Sequence, residues 1–102
     1  MNEVELMFEH KAIKRGLSAI YTKEDALQFV RECQKRNFVI FGIDAFFLFP
    51  DKNAIQPSME DSIEFSASSY KGNDVYNDAS ELINSREPDM YFEIVCASWW
   101  RI

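Results

Sequence analysis

The sequence predicts a single α+β domain over residues 1–102, with a small, mainly antiparallel sheet of three to four strands and about three helices packed against it. Three observations predict this class. Two segments repeat apolar residues at helical spacing behind polar cap residues, one segment is continuously apolar and aromatic, and no internal repeat occurs. The predicted order is ααββαβ. With 102 residues and 47% hydrophobic content, the chain is long enough for one core.

The first predicted helix covers residues 2–15. Acidic residues open this segment and basic residues followed by Gly16 close it, which is the polarity that a helix dipole and a glycine C′ position favour. Val4 and Phe8 are spaced four apart, as one helix face requires. The alternation of Val4, Leu6 and Phe8 equally allows a short strand.

The second predicted helix runs from Lys23 to Arg36. Thr22 precedes it with an acid, Asp25, three residues on, which approximates a capping box. The stripe of apolar residues that follows consists of Ala26, Leu27, Val30 and Cys33.

A central strand is predicted over residues 38–49. The segment is apolar without alternation, which indicates that both faces are covered, and Gly42 is expected at a bulge. In residues 55–69, Pro57 argues against a central strand. Alternation over residues 62–68 predicts a half-exposed antiparallel strand that turns Ile63, Phe65 and Ala67 inward.

A third helix is predicted after Gly72, with Asn73 or Asp74 as its cap. Its buried stripe is Val75, Ala79, Leu82 and Ile83. Residues 87–89 then separate it from a last strand over residues 90–97.

The charge is unevenly distributed along the chain. Residues 1–36 carry seven Lys or Arg and six Asp or Glu, whereas residues 37–102 carry four and eleven, and the formal net charge is -6. This balance disfavours nucleic acid as a partner, because such binding depends on neutralising phosphates. It favours a cationic protein partner, although many proteins are acidic for solubility alone.

The sequence also predicts a cytoplasmic location. The longest apolar stretch is shorter than the about 20 residues of a membrane-spanning helix, and the first residues are acidic where a signal peptide is basic. Cys33 and Cys96 lie in apolar surroundings, as buried thiols in a reducing compartment do, and a disulfide between them remains open. We expect no cofactor, no metal site and no contact with a membrane.

No convincing catalytic constellation occurs, so we expect a protein without enzymatic activity and assign no catalytic residue. His10 is the single histidine, and the glycines are not clustered. Asp44 is the best catalytic candidate, because a carboxylate within an apolar strand can act as a general acid or base. The alternative is that Asp44 accepts hydrogen bonds at a bulge or reaches solvent.

Three acids of the third helix form the strongest candidate for a binding surface. Asp74, Asp78 and Glu81 are spaced by four and three, so a helix places their carboxylates on one face. Like charges four apart cost roughly 0.2 to 0.5 kcal/mol per pair, and folding does not need them. Such a face imitates a row of phosphates and suits the cationic cleft of a nuclease, whereas the plainer interpretation is a solvated helix face.

Further acids and aromatic residues are predicted to extend this surface. Tyr and Trp are frequent anchors of protein interfaces, and one of the two adjacent tryptophans at the C-terminal end is expected at the surface. The complete predicted partner-binding set is Asp74, Asp78, Glu81, Glu60, Asp61, Glu64, Tyr70, Tyr76 and Trp100.

Two segments, Phe41-Gly-Ile-Asp-Ala-Phe46 and Ile55-Gln-Pro-Ser-Met-Glu-Asp-Ser-Ile-Glu-Phe-Ser66, resemble immunity proteins of bacterial polymorphic toxins, including those of contact-dependent growth inhibition systems. The resemblance covers about a third of the chain and carries over no functional residue. It implies a small cytoplasmic protein that neutralises the C-terminal domain of a cognate toxin, often a nuclease.

The leading hypothesis is therefore a monomeric immunity protein that covers the active site of a basic toxin domain in a 1:1 complex. Two alternatives remain open. One is a small enzyme or ligand-binding domain that uses Asp44 in a pocket. The other is an adaptor subunit of a larger complex.

Overall fold

A computed structural model of the chain describes residues 1–65 and 74–98. Three α-helices and five strands follow one another in the order α1 (Glu3–Phe8), β1 (Ile13–Arg15), β2 (Ser18–Thr22), α2 (Lys23–Lys35), β3 (Phe38–Phe49), β4 (Ala54–Glu64), α3 (Asp74–Ser85) and β5 (Tyr91–Ser98). The strands form one curled, antiparallel sheet in the order β1-β2-β5-β3-β4. The α+β class is confirmed, but the described residues include five strands where three to four were predicted.

The N-terminal segment differs from its prediction. Helix α1 ends at Phe8, a 3₁₀ turn covers Glu9–Lys11, and the chain then forms the hairpin β1–β2. Gly16 adopts φ +59° in the hairpin turn, so it reverses the chain between two strands instead of ending a helix. The start of α1 follows the expected chemistry, because Asn2 caps it in a complete capping box with Glu5.

Helix α2 confirms its prediction apart from one residue at the C-terminal end. The Thr22 side chain accepts a hydrogen bond from the Asp25 N–H at 3.2 Å, which satisfies one of the free donors of the first turn. Asn37 follows the helix with φ +55°, the left-handed conformation that often ends helices and that asparagine tolerates.

Strand β3 has the predicted bounds and lies between β5 and β4. The expected bulge is present at Gly42, where the pairing with β5 shifts between Ile40 and Gly42. Beyond Phe46 the strand pairs with β4 alone, and Phe47 and Phe49 are exposed. Burial of β3 therefore extends to Phe46, interrupted at Phe41 and Asp44, and the last three residues are not buried.

Strand β4 begins earlier than predicted and contains Pro57. It is an edge strand, so the missing N–H of Pro57 is tolerated there. A second irregularity follows. On β3, Ile43 pairs with Ile63 and Ala45 pairs with Ser58, so the single residue Asp44 lies opposite the four residues 59–62 of β4. We call residues 59–62 the β4 bulge.

The core lies between the helices and one face of the sheet. The interior side chains of α3 are the predicted stripe, Val75, Ala79, Leu82 and Ile83, with Tyr76 in addition. Largest among the fully buried side chains are Phe29 of α2 and Phe92 of β5. The rings of Phe8 and Tyr21 each lie within 5.3 Å of the Phe29 ring, centroid to centroid, a spacing typical of aromatic pairs.

Candidate functional site

Helix α3 presents the predicted acidic residues on its solvent side. Its apolar stripe packs into the core, so the opposite side of the helix faces outward, and Asp74, Asp78 and Glu81 are all exposed there. Within residues 1–65 and 74–98, no cation forms an ion pair with any of the three. We call these residues the α3 acidic face.

The N-terminal third pairs its charges differently. Its ion pairs are Lys11 with Asp25 at 3.7 Å, Lys14 with Glu9 at 3.1 Å, Lys35 with Glu32 at 3.5 Å, and Arg36 with Glu3 and Glu32 at 3.1 and 3.5 Å. Most of the positive charge is thus matched locally. The excess negative charge belongs to the surface built after residue 37.

Asp61, by contrast, is already bound within the chain. Its carboxylate accepts a hydrogen bond from the Ser58 hydroxyl at 2.6 Å and lies 3.3 Å from Nε of Arg86. Arg86 follows the end of α3, so this ion pair ties the β4 bulge to the helix. Of the predicted β4 acids, Asp61 has a structural role and Glu60, also in the bulge, is exposed.

Glu64 lies on the opposite side of the sheet from the α3 acidic face. Its neighbours Ile63 and Phe65 pack into the core beneath the helices, and side chains alternate along a strand, so Glu64 points the other way. One flat partner surface therefore cannot contact Glu64 and α3 together. The structure divides the predicted acidic surface into two.

A second group of carboxylates lies on the face of the sheet opposite the helices. Asp44 of β3 and Glu93 of β5 are directly opposite each other, and Glu64 is opposite Gly42, two residues from Asp44. Like charges opposite each other destabilise a sheet. Glu93 was not predicted as a site residue, because its neighbour Asp44 is far away in sequence and only the strand register brings the two together.

Glu93 bends toward the gap between β2 and β5. Its carboxylate accepts a hydrogen bond from the Ala19 N–H at 3.0 Å, at a position where the backbones of the two strands are not paired. Burial raises the pKa of Glu93, the hydrogen bond from Ala19 lowers it, and the charge of Asp44 raises it further, with a net upward shift.

The aromatic residues predicted as anchors have different outcomes. Tyr76 is only 7% exposed, and its hydroxyl donates a hydrogen bond to the Phe38 carbonyl at 2.7 Å. Contrary to the expectation, its side chain is therefore part of the core and is withdrawn from the surface. Tyr70 and Trp100 lie outside the described residues.

Asp44 lines an open cleft of ≈ 340 Å³. The other lining residues are Phe41, Gly42, Met59, Ser62, Ile63, Glu64 and Val95. Asp44 is exposed, which agrees with the alternative interpretation in which its carboxylate reaches solvent. The cleft combines apolar walls with two carboxylates, a composition suited to binding a cation that carries an apolar stem.

Cys33 of α2 and Cys96 of β5 are both free thiols. Their mutual side-chain interaction raises the pKa of Cys33 and lowers the pKa of Cys96. The Asn2 side-chain amide lies 3.5 Å from the Cys96 sulfur and adds to the lowering. Among the residues described, no three His, Cys, Asp or Glu are grouped so as to hold a metal ion.

Comparison of the chain with protein-family models, with curated proteins and with solved structures found no match. Within the described ranges, no helix is both long and apolar enough to cross a membrane.

Proposed function

We propose that this chain is a non-enzymatic immunity protein, which binds a basic toxin domain through the α3 acidic face and covers the active site of that domain. One observation carries the proposal. Asp74, Asp78 and Glu81 are exposed on one side of a well-packed helix, and no cation of the described residues neutralises them.

The energetic cost of this arrangement supports a role outside folding. Carboxylates four residues apart on a helix repel each other by roughly 0.2 to 0.5 kcal/mol. Asp74 lies in the first turn, where the positive end of the helix dipole offsets part of that cost. Asp78 and Glu81 lie further along the helix and have no such compensation.

An unneutralised acidic face accelerates encounter with a cationic partner, because complementary potentials steer diffusion. A nuclease cleft that binds phosphates is such a partner. The resemblance of residues 41–46 and 55–66 to immunity proteins is consistent with this choice. We further propose a cytoplasmic, monomeric protein that forms a 1:1 complex and binds neither nucleic acid nor membranes.

The decisive experiment begins with the neighbouring gene, which this proposal expects to encode an exported protein with a basic C-terminal domain. That domain should arrest growth when expressed alone, and coexpression of this chain should restore growth. Binding is then measured by stopped-flow mixing at low salt. For Asp74→Lys/Asp78→Lys we expect association slower by about tenfold or more, and a weaker dependence of the rate on salt.

A matched control separates the location of the charge from its amount. Glu87→Lys/Asp89→Lys makes the same change in net charge at two exposed acids after α3, and it should slow association much less. Equal slowing by both pairs would reject α3 as the docking element, and arrest that coexpression does not relieve would reject the neutralising role.

The position of Asp44 in the cleft favours a second candidate, a small enzyme or ligand-binding domain. It predicts that a metabolite screen finds turnover or pH-dependent binding, and that Asp44→Asn abolishes it. If the Asp44→Asn variant neutralised the toxin as well as the wild type does, the result would support the first proposal and not the second.

A further inference from the structure

The cleft beside Asp44 exists because of one glycine. Across three strands, Glu64, Gly42 and Val95 form a single row on the face of the sheet opposite the helices. Gly42 contributes no side chain to this row. A Cβ at Gly42 would lie 2.8 Å from the Ile63 carbonyl oxygen, a separation that real Cβ atoms essentially never show. The close approach of β4 therefore requires glycine at this position, and the missing side chain leaves a depression above it.

Apolar side chains that are exposed to solvent form the walls of the depression. Met59 is 83% exposed and Val95 is 45% exposed, and Phe41, the extra residue of the β3 bulge, lines the same cleft. Exposed apolar side chains grouped around a concave surface are typical of binding sites.

Two carboxylates flank this apolar surface. Glu64 is opposite Gly42 and Asp44 follows two residues along β3, so both acids project from the same face of the sheet, next to the depression. Asp44 and Glu64 form no ion pair with any cation of the described residues. Charge complementarity therefore selects a cationic occupant.

We propose that this cleft, which we call the Gly42 cleft, binds one arginine side chain from an exposed loop of a partner protein. The three-carbon stem of the arginine packs on Met59 and Val95, and its guanidinium lies between the carboxylates of Asp44 and Glu64. A planar guanidinium offers five donors in a fixed geometry to two carboxylates, whereas an ammonium offers three donors from a single point. The cleft volume of ≈ 340 Å³ is at the small end of ligand sites, as one side chain requires.

This inference goes beyond the proposed function, because the Gly42 cleft and the α3 acidic face lie on opposite sides of the sheet. A partner that occupies both must wrap around the edge at β4. Otherwise the cleft serves a second partner.

The site is tested on the intact ¹⁵N-labelled protein by NMR titration with N-acetyl-L-arginine methylamide, which imitates an arginine within a chain. We expect saturable shifts of the Gly42 and Val95 amide signals, with a dissociation constant on the order of 1 mM. The citrulline analogue, which has the same shape without the charge, and the lysine analogue should each bind at least about tenfold more weakly. Free arginine carries an α-ammonium as well as an α-carboxylate, so its net charge equals that of the methylamide, and it should bind no more tightly.

Variants locate the binding. Asp44→Asn/Glu64→Gln should weaken binding of the arginine methylamide at least about tenfold while the spectrum stays dispersed, and Asp51→Asn/Glu87→Gln, which removes two exposed acids elsewhere, should not change it. The proposal is overturned if no saturable shift occurs at Gly42, if citrulline or lysine binds equally, if free arginine binds best, or if both variant pairs behave alike. None of these outcomes depends on the α3 acidic face.

Discussion

Arg86 binds Asp61 twice: its Nε lies 3.3 Å from the Asp61 carboxylate and 3.2 Å from the Asp61 carbonyl oxygen. The contact joins the residue after α3 to the β4 bulge, across 25 positions of sequence. An acid that looks like part of the acidic surface thus holds a helix against an edge strand.

We therefore expect Asp61→Ala to destabilise the fold. The variant removes the ion pair and the acceptor of the Ser58 hydroxyl, and interactions of this half-exposed kind are worth about 1 to 2 kcal/mol together. Urea unfolding measures the loss, with Glu60→Ala as the control, because Glu60 is an exposed neighbour with no ion pair among the described residues. Equal stability of the two variants would contradict the assigned role.

A second prediction concerns the pH dependence of stability. Because the pKa of Glu93 is raised above its ordinary value of 4.5, the protonated carboxyl favours the folded state. Its contribution is complete below the ordinary pKa and is lost as the pH rises through the raised pKa. Glu93→Gln keeps an acceptor for the Ala19 N–H and carries no charge.

The variant should therefore gain stability over the wild type as the pH rises from 4 to 7. Urea unfolding at each pH measures the difference, and Asp51→Asn, at an exposed acid in the β3–β4 turn, controls for net charge. If the wild type instead gained stability relative to the variant as the pH rises, the hydrogen bond from Ala19 would affect the pKa of Glu93 more strongly than burial does.

Tyr76→Phe tests whether Tyr76 belongs to the core or to a partner surface. The hydroxyl donates a buried hydrogen bond to the Phe38 carbonyl, so its loss should lower the free energy of unfolding by about 1 to 2 kcal/mol. Tyr91→Phe is the matched control, because the Tyr91 hydroxyl has no hydrogen-bond partner within the residues described. If Tyr76→Phe lowered the affinity for the toxin domain and left stability unchanged, Tyr76 would belong to the interface and not to the core.

The thiols should differ in reactivity. The lowered pKa and partial exposure of Cys96 predict that iodoacetamide modifies it before Cys33, which is buried and whose pKa is raised. Asn2→Asp keeps the side-chain oxygen that caps α1 but removes the amide beside the Cys96 sulfur, so modification of Cys96 should slow severalfold. Mass spectrometry of peptides after timed labelling identifies the modified residue, and prior labelling of Cys33 would contradict the prediction.

The sequence predicted those helices and strands whose pattern depends only on their own residues and their immediate neighbours. Thr22 and Asp25 located the start of α2, the apolar and aromatic run gave the bounds of β3, and a stripe at helical spacing identified α3. The β1–β2 hairpin escaped prediction because its strands are only three and five residues long, too short for alternation to distinguish them from a helix end. Pro57 correctly argued against a central strand, because β4 lies at the edge of the sheet. The sequence did not predict that residues 54–61 form a strand, since pairing at an edge depends on the neighbouring strand.

The sequence by itself also determined that Asp74, Asp78 and Glu81 share one helix face, because helical periodicity depends only on neighbouring residues. Only the tertiary structure decided which acids remain free. Arg86 reaches Asp61, strand alternation turns Glu64 away from α3, and the register of β3 with β5 sets Asp44 opposite Glu93. These relationships join residues far apart in the chain, and pairing register is a property of the assembled sheet.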